Sequence, residues 1–479
     1  MMKFNDVYKN IVLNESYKNW KKHFLDFFFQ ENKAHLIALH EGGIVDSNLA
    51  KELKRGIKKI ETAYDFPNSL PEETEDIFFV FERKLEEIIG KDKAGFLHAG
   101  RSRNDLDTTV FRMFMREKLL AFLVEVQKIL EELKRKIAKN LETAFILYTH
   151  GQPAQVSTFG HYLSSFAFEL LEDAEKILDS IKIVNRCPAG AAAITTSGFN
   201  INRKLLSELL GFDEPVPNSY QAISTSHWIT YPATAVRIIL EDIGRFVADL
   251  FHKASIEVGI VAFPNNLVQI SSIMPQKRNP VILEHIRIYS ELASEELMGL
   301  STLFRNVPYQ DVNEVADTSV VAFEQAIEHS RRAIRLFNEV LKSVEVNVDR
   351  CKEVATATGS TTTELADELV RTEKISFRIA HKVVSRFVES GFSYEVLKNS
   401  FASEVGREIS ISPEEVDNIL SEEHFIEVRK VYGGPALEGM TPIMELFSQK
   451  QKRINDSISQ ILKQFRRYKA NLVKKFESI

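Results

Sequence analysis

The chain has 479 residues, 44% of them hydrophobic and 27% charged, with a formal net charge of -6. That balance belongs to a soluble folded protein rather than a disordered or membrane chain, and it provides no chain-wide attraction to nucleic acid. The two cysteines, Cys187 and Cys351, lack CxxC spacing and His-rich neighbours, which argues against a zinc site or a disulfide framework and fits the reducing cytoplasm. The N-terminus MMKFNDVYKNIVLNESYKNWKK is mixed and charged, and no later run approaches the ~18 uninterrupted apolar residues of a spanning helix. Neither export nor membrane anchoring is expected.

From about Thr109 to Thr143, Leu119, Leu123, Val126, Leu130, Leu133, Ile137 and Leu141 recur at helical spacing with Glu, Lys and Arg between them. They predict one helix of roughly 30 residues, about 45 Å long. Leu163, Phe166, Leu170, Ala174, Ile177, Ile181 and Val184 repeat the pattern, as do segments near 230–260, 281–303 and 314–345. Helices this long cannot bury their stripes in a compact monomer, so a bundle shared between subunits is expected. Strand signals are sparse, with no Asn-Gly or Asp-Gly hairpin cluster. The fold class is therefore all-α. Composition becomes irregular from about 346, and boundaries near 105 and 350 divide the chain into an N-terminal helical domain (1–105), a central long-helix domain (106–350) and a smaller C-terminal helical domain (351–479).

Four polar or Gly-rich breaks interrupt the helical pattern: HAGRSRND (98–105), YTHGQPAQ (148–155), CPAGAAAITTSG (187–198) and SSIMPQKRNP (271–280). In the first, Ser102, Arg103 and Asn104 place donors before the long helix, where free N–H groups and an Arg make a carboxylate or phosphate cradle. An ordinary N-cap with a surface Arg has the same sequence. The second offers Thr149, His150, Gln152 and Gln155 at an expected helix start, and His150 is either a general acid or base or an ordinary surface histidine. SSIMPQKRNP lacks the glycine frame of a nucleophile elbow and Walker spacing. Its backbone N–H groups from Ser271 to Met274, with Lys277 and Asn279 within reach, fit a nest for a delocalised anion, stiffened by Pro275 and Pro280; a solvated connection between helices is the alternative.

Together these segments resemble the fumarase/aspartase superfamily, whose signature is GSSxMPxKxNP, and within it the argininosuccinate lyases. LHAGRSRND (97–105) is close to that family's LHTGRSRND, and MPQKRNP (274–280) to its MPQKKNP. Tyr148-Thr149-His150 with Gln152 and Gln155, Leu365-Ala366-Asp367 with Phe377-Arg378-Ile379-Ala380-His381, and Gly433-Gly434 extend the likeness in order from about residue 70 to 440. The resemblance implies a homotetramer around a shared helical bundle, active sites built from three subunits, and no cofactor or metal. It implies elimination of fumarate from an N-substituted aspartate, a small dicarboxylate substrate. Ser271 is then the base, with the Ser272 to Met274 backbone, Lys277 and Asn279 holding carboxylates. His150 is the acid or relay, oriented by Glu284, and Ser102, Asn104 and Thr149 hold the succinate half.

The chain departs from the family where the amine is read. NSLDAVSDRDF is replaced by Asn218 to Trp228, which loses three aspartates and an arginine. YNxDLQEDK becomes Tyr309 to Ala316, in which Tyr309 survives, Asn313 is a shortened Gln and Ala316 stands for Lys. Ile270 replaces the glycine before the double serine, the early DEDxH reads Thr74 to Phe78, and the N-terminal WGGRF is missing. Argininosuccinate is the expected substrate. The alternatives are a paralogue acting on another aspartate adduct, such as an aminopolycarboxylate, and a catalytically silent structural homologue. Retention of Ser271, Lys277, Asn279, His150 and Glu284 together argues against silence.

Overall fold

The computed structural model describes residues 4–479. Helices dominate it. Near the N-terminus α1 (Leu25–Glu41) is buried along most of its length, beneath the turn that starts the next long helix. That helix, α2 (Arg103–Lys139), begins where Ser102 is an extended N-cap: its hydroxyl accepts the Asn104 N–H (3.4 Å), and the Asp105 carboxylate accepts the Ser102 N–H (2.9 Å). This reciprocal cap satisfies donors that the first turn leaves free. No Gly or Pro interrupts the helix, and Leu119, Leu123, Val126, Leu130, Leu133 and Ile137 are fully buried. Each such side chain contributes about 2 kcal/mol by leaving water. The helix starts and stops earlier than hydrophobic periodicity alone suggests, because the cap fixes its start and Asn140 leaves helical geometry.

A β-hairpin follows where the sequence suggested a helix start. Strand β1 (Ala144–Thr149) pairs antiparallel with β2 (Gln152–Thr158), Thr149 opposite Gln152. The two turn residues, His150 and Gly151, both have positive φ, 53° and 74°, which matches the right-handed twist of the strands. Placement of YTHGQPAQ at a helix start is thus corrected. Helix α3 (Phe159–Val184) begins only after Thr158, whose hydroxyl accepts the His161 N–H (3.0 Å).

Helices α4 (His227–Lys253), α5 (Val281–Leu303) and α6 (Asp317–Ser343) complete a five-helix bundle with α2 and α3. Between α4 and α5, strand β3 (Gln269–Ile270) pairs antiparallel with β4 (Arg278–Asn279) and closes the SSIMPQKRNP loop. Helix α6 runs parallel to α2: Lys118 meets Glu324, Glu125 meets Arg331 and Arg335, and Lys136 meets the Lys342 carbonyl. Among the described residues no helix is long and apolar enough to cross a membrane.

A separate hydrophobic core, including Leu365, Leu369, Val383, Phe387, Leu397 and Phe401, lies in residues 365–420. The last helix, α7 (Leu437–Ser478, 42 residues), returns instead to the main core and packs along α3 and α1. Its Phe465 and Tyr468 rings flank the buried Arg116 guanidinium, whose Nη1 and Nη2 donate to the Gly211 and Leu210 carbonyls.

Candidate active site

The bundle has two ends, and the candidate residues are divided between them. At one end, Asn104 Nδ2 donates to the Ala193 carbonyl (3.3 Å), so the start of α2 touches the 187–198 loop. The Asp105 carboxylate organises this contact: besides the Ser102 N–H it accepts the N–H groups of Gly190 (2.9 Å) and Ala192 (3.0 Å). Burial pushes its carboxyl up to about 7, while the Ser102 and Ala192 donors act in the opposite direction. Asp105 lies in the HAGRSRND segment but was not among the expected site residues. The i to i+3 Ser-Asp capping pair was the signal for it.

Arg103 is less available than its position in the sequence suggested. Its Nη1 meets Asp76 (2.5 Å) and Glu75 (3.3 Å), and its guanidinium lies over the Phe79 ring. Beneath this turn a buried Arg101–Glu31 pair (2.7 Å), with Asn32 Oδ1 accepting from both terminal guanidinium nitrogens, fixes the backbone that leads into α2. Tyr309 and Asn313 are exposed on the segment joining α5 to α6 at this same end.

His98 packs against Phe78 beside Arg101 and Arg103, and its Nδ1 has no partner among the described residues. Burial first, and the two arginines second, lower its pKa from 6.5 to about 4. The unfolded chain therefore binds this proton more readily, so the stability His98 confers is present above pH 6.5 and is lost as pH falls towards 4. His35, bonded to the Ala99 carbonyl and depressed chiefly by burial, acts in the same sense. Asp105 acts in the opposite sense. Comparison of wild type with His98→Gln isolates the single group: the loss of stability between pH 6.5 and 4 is expected to be smaller in the variant, by about 2 kcal/mol at most. Chemical denaturation at several pH values measures it, and parallel curves for the two proteins would remove His98 as the cause.

At the other end of the bundle stand the hairpin and the SSIMPQKRNP loop. Tyr148 packs edge-on against His252 near the end of α4, and Arg287 near the start of α5 lies over Phe251. Thr149, His150, Gln152 and Gln155 are exposed on the hairpin, and Gln155 Nε2 reaches Thr363 Oγ1 (3.4 Å) beside the smaller core. In the loop, Ser271 is half-buried and its Oγ accepts the N–H groups of Met274 (3.1 Å) and Ile273 (3.4 Å). The Ser271 N–H donates to the Lys277 carbonyl and the Lys277 N–H to the Met274 carbonyl, which makes a compact turn. Ser272, Met274 and Lys277 face solvent, Asn279 pairs with Gln269 at the loop base, and Glu284 sits half-buried in the first turn of α5.

Within one chain these sets do not meet. Ser102 caps the 37-residue α2, Asn104 lies in its first turn, and His150 follows its end, so a helix about 55 Å long at 1.5 Å per residue separates them. Glu284 lies in the first turn of the 23-residue α5 and Tyr309 beyond its end, about 30 Å apart by the same measure. No small dicarboxylate spans such distances, so a site using all these residues needs ends of different chains brought together.

A family model described as lyase matches residues 24–292, and one described as argininosuccinate lyase C-terminal matches residues 359–427. Argininosuccinate lyase 2 of Agrobacterium fabrum is 37% identical over 459 residues, covering 93% of this chain and 90% of that protein. Argininosuccinate lyase of Methanocaldococcus jannaschii is 31% identical over 449 residues, covering 92% and 91%. Among solved structures, an EDDS lyase variant with bound fumarate superposes with a TM-score of 0.85 at 25% identity, covering 95% of this chain and 92% of that one.

Proposed function

Because this chain belongs to the argininosuccinate lyase family and is a carbon–nitrogen lyase, we propose that it cleaves argininosuccinate to arginine and fumarate in the cytoplasm, as a homotetramer whose active sites are shared between subunits. Ser271 carries the reading. A free serine is far too weak a base to remove a proton from carbon, but two backbone N–H groups aimed at Ser271 Oγ favour the alkoxide over the hydroxyl. In the proposed reaction that oxygen takes the proton from the β-carbon of the succinate moiety. The electron pair left on carbon is delocalised into the adjacent carboxylate, where Lys277, Asn279 and the Ser272 to Met274 backbone balance the developing charge. The C–N bond then breaks, its electron pair stays with nitrogen, and His150, oriented by Glu284, supplies the proton to the leaving amine. Ser102, Asn104 and Thr149 hold the succinate half, and Arg103, Gln152, Gln155, Tyr309 and Asn313 complete the polar lining.

The separation of these residues between the two bundle ends supports the shared site. So do the large apolar side chains exposed on α4 and α5, namely Tyr231, Ile238, Ile288, Leu292, Met298 and Leu303, which a monomer would leave in water. A second reading, a different aspartate adduct of aminopolycarboxylate type, is favoured by Ala316 standing where the family's amine-reading stretch has Lys. Release of fumarate, followed by its ultraviolet absorbance across argininosuccinate and other N-substituted aspartates, separates the two. Absence of fumarate from every adduct would end the enzyme reading, and complementation of an arginine auxotroph tests argininosuccinate itself. Lys277→Ala is expected to weaken inhibition by succinate about ten-fold through loss of one cation–carboxylate contact. An unchanged inhibition constant would place Lys277 outside the anion cradle.

A further inference from the structure

Two of the stretches in which this chain departs from its family, 218–228 and 309–316, touch each other. The Tyr220 hydroxyl donates to the Tyr309 backbone carbonyl at 2.6 Å, and the two rings meet edge to face with centroids 5.9 Å apart. The segment that carries Tyr309 has little else to hold it. From Phe304 to Asn313 its other hydrogen bonds are local: Phe304 N–H to Leu300, Arg305 N–H to Thr302, Gln310 N–H to Pro308 and Val315 N–H to Val312. Among the described residues the Tyr220 hydroxyl makes the one hydrogen bond that ties this segment to a different element. Tyr220 is itself well placed for this, since it lies in the first turn of a short helix (Ser219–Ser224) whose N-cap, Asn218, accepts the N–H groups of Tyr220 and Gln221.

We infer that Tyr220 is the positioning residue of the leaving-amine subsite, holding Tyr309 against the amine while taking no part in proton transfer. The inference rests on the proposed function for its substrate and goes further in assigning the specificity role to a residue where the family has Leu. A segment held by one hydrogen bond to its surroundings samples many conformations once that bond is lost, and ordering it again on binding lowers affinity. The proton abstracted by Ser271 and the carboxylates held beside it are at the succinate half, so the chemical step is unaffected.

Two measurements on the full-length Tyr220→Phe protein test this. That variant keeps the ring pair and removes the hydroxyl. Trypsin cleavage after Arg305, an exposed residue of the segment, is expected to become several-fold faster. KM for the N-substituted aspartate is expected to rise about five-fold, equivalent to about 1 kcal/mol, with kcat and inhibition by fumarate unchanged. Unchanged cleavage would overturn the pinning of the segment whatever the substrate. Faster cleavage with unchanged KM, or an equal fall in kcat and loss of fumarate inhibition, would overturn the amine role. If the wild-type protein releases no fumarate from any such adduct, the proposed function and with it the amine role of Tyr220 are overturned, while the trypsin comparison still decides whether Tyr220 holds the segment.

Discussion

Ser271→Ala is expected to lower kcat by about a thousand-fold, the range in which loss of a positioned general base falls, without altering the assembly. The second half of that expectation follows from the surroundings of the side chain. Ser271 Oγ accepts two N–H groups within its own loop, and the neighbours from Ser272 to Lys277 are exposed. Alanine leaves those donors to water, so no buried polar group is stranded and stability changes by well under the cost of a core defect. Steady-state fumarate release and sedimentation of the variant check both halves together. A rate within about ten-fold of wild type would remove Ser271 from the base role, and a dissociated protein would show that the loop is structural.

Mixing two inactive variants is expected to restore activity. Asn104→Ala alters the start of α2, and Ser271→Ala alters the loop before α5. In each chain these positions lie at opposite ends of a bundle built on a 37-residue helix, so the proposed active site takes them from different subunits. In a randomly reassembled mixture, half the chains supplying Asn104 and half of those supplying Ser271 are intact at that position. About a quarter of the sites then carry both groups, and the mixture is expected to reach about a quarter of the wild-type rate, far above either variant alone. The measurement is fumarate release after joint denaturation and refolding, with each variant refolded separately as control. A mixture no more active than its components would place both residues in one chain's site and overturn the shared arrangement.

Several features of the protein were legible without coordinates because they depend on local chemistry. Helical spacing of Leu119 to Ile137 required a long amphipathic helix, since only that period puts those residues on one face. Ser102 marked the start of that helix through its cap. The double serine, two prolines, Lys277 and Asn279 marked a break in the helical pattern, which is the turn closed by β3 and β4, and the order of these segments identified the family. The hairpin at 144–158 escaped because its turn uses His150-Gly151, with histidine in the left-handed conformation, instead of the Asn-Gly or Asp-Gly that announces such a turn.

Other features belong to tertiary structure alone. Asp105 binds Gly190 and Ala192 from across the fold, and the engagement of Arg103 by Asp76 depends on how the N-terminal helices pack against α2. Tyr220 and Tyr309 are 89 positions apart, and neither residue's neighbours in sequence name the other. The sequence by itself determined the helical class, the family and the elimination chemistry, because motif spacing and hydrophobic period are properties of short segments. Only the tertiary structure decided which ends of the bundle carry which site residues, and that Tyr220 holds the segment bearing Tyr309, because long-range contacts depend on helix length and direction rather than on any local pattern.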